Sequence, residues 1–284
     1  MMVRADRSRL DELLVARGLA ENRSVARGLI MAGRVTVDGE ISDKAGTQVR
    51  CESAMAVKQG PRYVSRAGEK LAHALEVLRI EVRGVEAFDV GASTGGFVDC
   101  LLQAGAYRVI ALDVGRGQLD ARLRGDPRVC VVEKVNARYL TPDRLAYVPD
   151  FVTMDVSFIS VTKVLPAVIT CMADHFEGLV LVKPQFEAGP AAVGKGGVVR
   201  DPEVHRKALM EVGRFVVEEA RLDLLGLCRS GLRGADGNEE FFLHVGRGRE
   251  KGVRLDRLES IVDELLVAGE TGGEAARMDG SGGR

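Results

Sequence analysis

The run Asp-Val-Gly-Ala-Ser-Thr-Gly-Gly-Phe at 89–97 places Gly91, Gly95 and Gly96 between an apolar stretch and a helix-like one. Glycine at a strand-to-helix turn lets backbone N–H groups approach a ligand with no side chain in the way. A nucleotide-like cofactor is implied. The spacing is GxxxGG, not GxGxxG, and no Walker lysine follows, so the pattern points away from NAD and ATP. Asp113 lies at the end of the next apolar run, where a carboxylate can accept hydrogen bonds from ribose hydroxyls; its plainer reading is a helix cap. Asn136 follows the third run, where a purine edge would lie.

A second set of residues closes apolar runs with a charge. Lys183 ends GLVLVK, at the strand edge where ligands bind in α/β sheets. Asp155 ends DFVTMD and reads equally well as a cap of the next helix. Glu239 and Glu240 precede FFLHVG and would face opposite sides once a strand has begun. Lys70, in EKLAHAL, reads by default as an exposed helical lysine. His73, His175, His205 and His244 show no metal-ligand spacing and read as structural or surface residues; no metal is expected.

The elements that must position these residues alternate. Apolar runs at 85–90, 107–114, 128–133, 150–155, 178–183, 222–228 and 241–246 predict strands, with helices near 69–80, 97–104, 158–173 and 202–220. Such alternation means a mostly parallel sheet covered on both faces. The last two strands are joined by RSGLRGADGNEE instead of a helix, so the final strand is expected to be antiparallel.

The first sixty residues are a separate pattern. Ser8 is placed to cap a helix carrying Leu10, Leu13 and Leu14, with Gly18 as its stop. A second helix from Asn22 or Ser24 is expected to bury Val25, Leu29 and Ile30, and Gly33 ends it. Asp38-Gly39 between Val37 and Ile41 is a two-residue hairpin signal. Gly60-Pro61 breaks the chain. The resulting division is 1–60 as a small α+β domain, 61–68 as a linker, 69–250 as an α/β Rossmann-like domain, and 251–284 as a C-terminal helix with a Gly-rich disordered tail.

Forty Lys+Arg against 41 Asp+Glu give a net charge of -1, which excludes a uniformly basic protein. Any polyanion site must therefore be local. Residues 1–60 hold ten Lys+Arg and eight Asp+Glu, yet six arginines fall between Arg4 and Arg27. A solvated helix face would explain that equally well. Cys51, Cys100, Cys130, Cys171 and Cys228 are widely spaced and odd in number, so neither a disulfide framework nor a zinc site is favoured. With no apolar run of membrane length, a reducing cytoplasm is the expected location.

RLDELLVARGLAENRSVARGLIMAGRVTVDGEISDKAGTQV resembles the small alpha-L RNA-binding module of a ribosomal protein, tyrosyl-tRNA synthetase and pseudouridine synthases. That resemblance implies phosphate contacts for Arg9, Arg23, Arg27 and Lys44, with Arg62 and Arg66 of the join added. Asp89 through Gly96, followed by Asp113 and Asn136, resembles a class I S-adenosylmethionine-dependent methyltransferase. The implied cofactor contacts are Asp89, Gly91, Ser93, Thr94, Gly95, Gly96, Asp113 and Asn136.

SRAGEKL, MDVSFIS, VKPQFEAG, GKGGVVRD and GNEEFF, in that order with the N-terminal module, resemble the TlyA group of 2'-O-ribose rRNA methyltransferases, some of which are labelled hemolysins. The wider heat-shock-type (FtsJ-like) ribose methyltransferases use a Lys-Asp-Lys-Glu tetrad. The resemblance carries it to Lys70, Asp155, Lys183 and Glu240, choosing Glu240 over Glu239. The expected partner is ribosomal RNA, with cytidine as the implied target. A lysine with an ordinary pKa of about 10.4 is almost wholly protonated at pH 7, so a lysine base would need help from burial or a second ammonium. EAGPAAVGKGGVV reads as a mobile lid over the cofactor or RNA, or nearly as well as a plain surface loop. The rival readings are a non-catalytic RNA- or ribosome-binding assembly factor and a membrane-active hemolysin.

Overall fold

The computed structural model describes residues 6–58, 60–189, 192–194, 196–248, 255–271 and 275–276. The expected C-terminal tail falls mostly outside the described residues. So do residues 190, 191 and 195 of the expected lid, including the lysine of GKGG. The chain forms two compact units, one ending at Arg62 and the other starting at Tyr63.

The first unit runs β1 (Arg7–Arg9), α1 (Leu10–Ala16), α2 (Arg23–Met31), β2 (Val35–Val37), β3 (Glu40–Ile41), β4 (Gln48–Arg50) and β5 (Met55–Val57). Ser8 does not cap α1. It lies in β1, paired with Val49 of β4, and Arg9 occupies the cap position without a side-chain bond. Asn22 does cap α2, its Oδ1 accepting from the Val25 N–H at 3.0 Å. The buried side of α2 is Ala26 and Ile30, while Val25 is exposed. Asp38 and Gly39 both have positive φ, as a tight hairpin turn with the sheet's twist requires, and β2 pairs β3 across them. Leu10, Leu14, Ile30 and Val35 are fully buried and form this unit's own core.

The second unit begins with α3 (Arg66–Leu78), so the last part of the expected linker is helical. It continues through β6 (Glu86–Val90), α4 (Gly96–Gln103), β7 (Arg108–Asp113), α5 (Ala121–Arg124), β8 (Val129–Glu133), β9 (Phe151–Met154), α6 (Leu165–Ile169), β10 (Phe176–Val182), α7 (Pro184–Glu187), α8 (Pro202–Arg214), β11 (Asp223–Arg229), β12 (Phe241–Arg247), α9 (Leu255–Thr271) and the short β13 (Ala275–Ala276). The helix expected over 158–173 is broken into a 3-10 turn at Val161–Lys163 and the five-residue α6, whose Pro166 lies in its first turn. Proline is tolerated there and nowhere deeper in a helix.

The sheet order is β13-β11-β12-β10-β9-β6-β7-β8. Strands β6 to β10 are parallel to one another, and β12 enters antiparallel between β10 and β11. Both faces are buried, as the alternation of side chains shows. Phe88, Val90, Val180, Val182, Phe241 and Leu243 pack on the face with α6, α8 and α9. Ala87, Leu179, Leu181 and Phe242 pack on the other, with Leu71 of α3 and Phe97 of α4. Period two thus assigns each strand residue to a face.

Gly91 makes the first turn possible. Its φ is +90°, and a Cβ there would lie 2.3 Å from the Asp155 carbonyl oxygen, so the turn after β6 packs directly on the backbone leaving β9. Gly91→Ala should cost about 2–4 kcal/mol through strain and displacement of that backbone. A thermal midpoint within about 1 °C of the wild type would show that the turn is not so constrained.

Candidate functional site

A cleft of about 560 Å³ opens at the carboxyl ends of β6, β7 and β9, with Gly91, Ser93, Asp113, Asn136, Asp155 and Phe158 among its lining. This is where ligands bind in open α/β sheets. The Asp113 carboxylate accepts from the Ser93 N–H at 2.8 Å and the Gly115 N–H at 2.6 Å, so it holds both turns of the rim. A carboxylate has about four acceptor sites, which leaves room for hydroxyls of a ligand. The Asn136 Oδ1 accepts from the Arg138 N–H at 3.0 Å, aligning the Asn136 side chain while its amide nitrogen stays available. Leu112, Val135 and Ala137 give the same wall an apolar surface suited to a flat ring.

Asp89 is buried behind this lining. Thr153 Oγ1 donates to its Oδ1 at 2.8 Å, and its buried Oδ2 has no partner among the described residues. Burial, against the Thr153 hydrogen bond and with help from the neighbouring Asp155 and Asp113 charges, pushes its pKa up to about 8. The cleft therefore fits a nucleoside-bearing cofactor in its acceptors and apolar wall.

Four of the expected cofactor residues are not in the lining: Asp89, which lies behind it, and Thr94, Gly95 and Gly96. Gly95 and Gly96 are packing glycines: added Cβ atoms would meet Leu123 and Leu119 at the first and Ser65 and Ala67 at the second. They let α4 start close against α3 and α5. Thr94 is exposed, and its carbonyl accepts from the Asp120 N–H.

The four tetrad residues gather at the same edge of the sheet as two ion pairs. Lys70 Nζ lies 2.5 Å from Glu240 Oε2, and Lys183 Nζ lies 2.5 Å from Asp155 Oδ1. Register explains the convergence. Val182 pairs with Phe241, so Lys183 just after β10 and Glu240 just before the antiparallel β12 emerge side by side. Met154 pairs with Val90 and Val180, which brings Asp155 to that edge too. Lys70 is 8 % exposed and Lys183 9 %, so the default expectation of a solvated helical lysine at 70 is corrected. Each ammonium meets a carboxylate instead of the other lysine.

Pleat parity also separates the adjacent glutamates. Glu240 continues the row of Phe242 toward α3, whereas Glu239 binds Arg229 and Arg233. Lys183 has a further partner that the sequence reading missed, donating to Ser157 Oγ at 2.9 Å. Among the described residues no three His, Cys, Asp or Glu side chains come together as a metal-ligand set. His244 meets Glu177 and His205 meets the Val199 carbonyl.

In the first unit, Arg9, Arg23 and Arg27 converge on one fully buried carboxylate. Asp11 accepts from Arg9 Nε and Nη2 at 3.0 and 3.1 Å, from Arg23 Nε at 3.0 Å and from Arg27 Nε at 3.1 Å. Their remaining N–H groups keep partial exposure, so Asp11 sets the spacing of a half-exposed cationic cluster. Sequence reasoning missed Asp11, although Arg23 and Arg27 stand four apart on one helix face. Lys44 and Arg62 are exposed, and Arg66, exposed at the start of α3, donates to the Arg233 carbonyl.

The two units define a class of protein: a small α+β module joined to a Rossmann-like domain with paired lysines and carboxylates beside a nucleoside-type cleft. Residues 63–247 match the FtsJ-like methyltransferase family, and residues 8–54 match the S4 domain. The 16S/23S rRNA (cytidine-2'-O)-methyltransferase TlyA of Mycobacterium tuberculosis is 42% identical, covering 93% of this chain and 99% of that protein. Hemolysin A of Brachyspira hyodysenteriae is 38% identical, covering 83% and 98%. A solved structure from Streptococcus thermophilus with a hemolysin designation matches with a TM-score of 0.69 at 37% identity, covering 94% of this chain and 98% of that one. The chain belongs to the FtsJ-like methyltransferases, within the TlyA group. Among the described residues no helix is long and apolar enough to cross a membrane.

Asp11 yields a pH test. Its hydrogen bond from Arg9, then those from Arg23 and Arg27, hold the carboxyl well below its ordinary value of 3.8, against the effect of burial. A lowered folded-state pKa stabilises fully above the unfolded value and is lost as pH falls through the folded one. Asp11→Asn should therefore melt below the wild type at pH 7, and the gap should narrow below about pH 4. Thermal unfolding followed by circular dichroism from neutral to strongly acidic pH checks this; a gap that does not change with pH sinks it.

Proposed function

We propose that this methyltransferase uses S-adenosylmethionine to methylate a ribose 2'-hydroxyl of ribosomal RNA, with cytidine as the target nucleotide. The observation that carries this reading is the position of Asp155, which lines the cleft and also grips the Lys183 ammonium. Cofactor cleft and buried lysine are thereby joined through one carboxylate. The names of the relatives supply the substrate class, and the S4 module supplies a means of holding RNA.

Asp113 and Asn136 would hold the ribose and base of the cofactor, and Gly91 would let the backbone approach it. The bound cofactor supplies a methyl group already activated by its sulfonium. What remains for the chain is the acceptor, since a ribose hydroxyl is a weak nucleophile while it keeps its proton. Lys183 is assigned the proton or the developing negative charge on that oxygen, with Asp155 and Ser157 orienting its ammonium. Lys70, held by Glu240, adds a second positive charge at the same edge. Arg9, Arg23 and Arg27 in the first unit are assigned RNA phosphates, and Lys44, Arg62 and Arg66 are each assigned the same role. Two buried, matched lysines favour turnover over a non-catalytic binding role, because burying ammonium groups is costly where binding alone is required.

Nucleoside mass spectrometry of rRNA incubated with protein and cofactor should show a 2'-O-methylated cytidine; its absence overturns the reading. Lys183→Ala should lower the single-turnover rate by a factor on the order of a hundred or more, with cofactor affinity retained. Lys183→Arg keeps the charge and cannot give up its proton, so a wild-type rate in that variant would leave Lys183 an electrostatic role alone. Asp113→Ala should weaken cofactor binding by roughly 1–3 kcal/mol in calorimetry. Unchanged affinity would remove Asp113 from the cofactor site.

A further inference from the structure

The segment Lys183–Glu187 is a single tight turn, closed by Phe186 N–H to the Lys183 carbonyl at 2.8 Å and Ala188 N–H to the Pro184 carbonyl at 2.9 Å. Within that turn, positions 183, 186 and 187 fall on one face, the i, i+3, i+4 relation of helical neighbours. All three address the loop that leaves β9. Lys183 takes its start through Asp155 and Ser157. The Phe186 ring packs on Phe158 at a centroid distance of 5.1 Å. Glu187 takes its end, Oε2 accepting from Ser160 Oγ at 2.6 Å and Oε1 from the Val161 N–H at 2.9 Å.

This loop needs holding. Phe158 has a φ of +62° and is 90 % exposed, a conformation that L side chains rarely adopt and that burial of the ring does not offset. The loop also lines the cofactor cleft from Asp155 to Ile159. Glu187 itself is an acid placed where burial raises its carboxyl pKa, while the bonds from Ser160 and Val161 act in the opposite direction. A half-buried carboxylate spent on a loop hydroxyl and a loop amide has a positioning role or none.

We infer that Glu187 is a positioning residue for methyl transfer: by fixing Ser160 and Val161 it holds the 155–161 loop in the strained form that presents Asp155 and Ser157 to Lys183. This inference rests on the proposed methyl transfer to rRNA and concerns the same site. Glu187 acts through the loop and is assigned no contact with either substrate. Its carboxylate is used as a pair of acceptors and not as a charge or a base. The mechanism therefore requires only that one oxygen accept from the Val161 amide and that a polar group meet the Ser160 hydroxyl, which a glutamine can do.

The test compares Glu187→Ala and Glu187→Gln with the wild-type full chain, using rRNA and S-adenosylmethionine at saturation in single turnover, alongside cofactor affinity by calorimetry. Glu187→Ala should lose rate by a factor on the order of ten or more, as misplaced catalytic groups do, while Glu187→Gln stays within about threefold of the wild type. A Glu187→Ala rate within about twofold of the wild type overturns the inference. So does a glutamine variant as slow as the alanine one, since that would demand the charge itself. Should Glu187→Ala fail to fold, Ser160→Ala removes one of the two holds and should slow transfer by about threefold; an unchanged rate there is equally fatal. A wild-type protein that transfers no methyl group to RNA refutes the proposed function instead, and is seen before any variant is measured.

Discussion

Two ammonium groups are buried at one edge of the central sheet, and the arrangement around them is set by what each requires. An unpaired buried ammonium is strongly unfavourable, and removing one partner of a buried ion pair typically costs about 3–5 kcal/mol. Lys70 is therefore bound to Glu240 and Lys183 to Asp155. The four residues come from α3, the entrance to β12, the end of β9 and the end of β10, elements far apart in the chain. The insertion of β12 antiparallel beside β10 is the topological step that makes this possible, because it delivers the start of one strand to the finish of its neighbours. Fold and site are in this sense one constraint.

The same logic operates with opposite sign in the first unit. There the buried group is the anion, Asp11, and three arginines surround it while keeping part of each guanidinium accessible. A carboxylate satisfied by several charge-assisted hydrogen bonds fixes the forks of the arginines in place. A cationic cluster so ordered loses less side-chain entropy on meeting a polyanion than free arginines would. Net charge close to zero over the whole chain is thus compatible with a local, preorganised basic surface.

Between cleft and lysines lies the 155–161 loop, gripped at its start, middle and end by the turn 183–187. Two sequence motifs that look separate, MDVSFIS and KPQFE, prove to be halves of one interlocked structure. This interlocking explains a backbone outlier at Phe158 without appeal to flexibility: the surroundings over-determine the conformation.

The sequence by itself was enough for the order of strands and helices, the antiparallel last strand, the hairpin at Asp38-Gly39 and the edge position of Lys183 and Asp155. Each rests on a local signal: hydrophobic period, turn chemistry, or a charge ending an apolar run. The tertiary structure decided what depends on residues meeting across the chain. Gly95 and Gly96 look like ligand-facing glycines and are packing contacts, because only the neighbouring helices reveal what a Cβ would strike. Ser8 looks like a cap and is a strand residue, because β4 lies forty residues on. Glu239 and Glu240 are adjacent in sequence and opposite in direction, and the pleat of β12 assigns them to different partners. Asp11 lies in no motif that marks it, and Glu187 closes KPQFE without any local sign of what it would bind. Their importance lies entirely in which groups the fold brings to their oxygens, a relation between distant positions that no local pattern encodes.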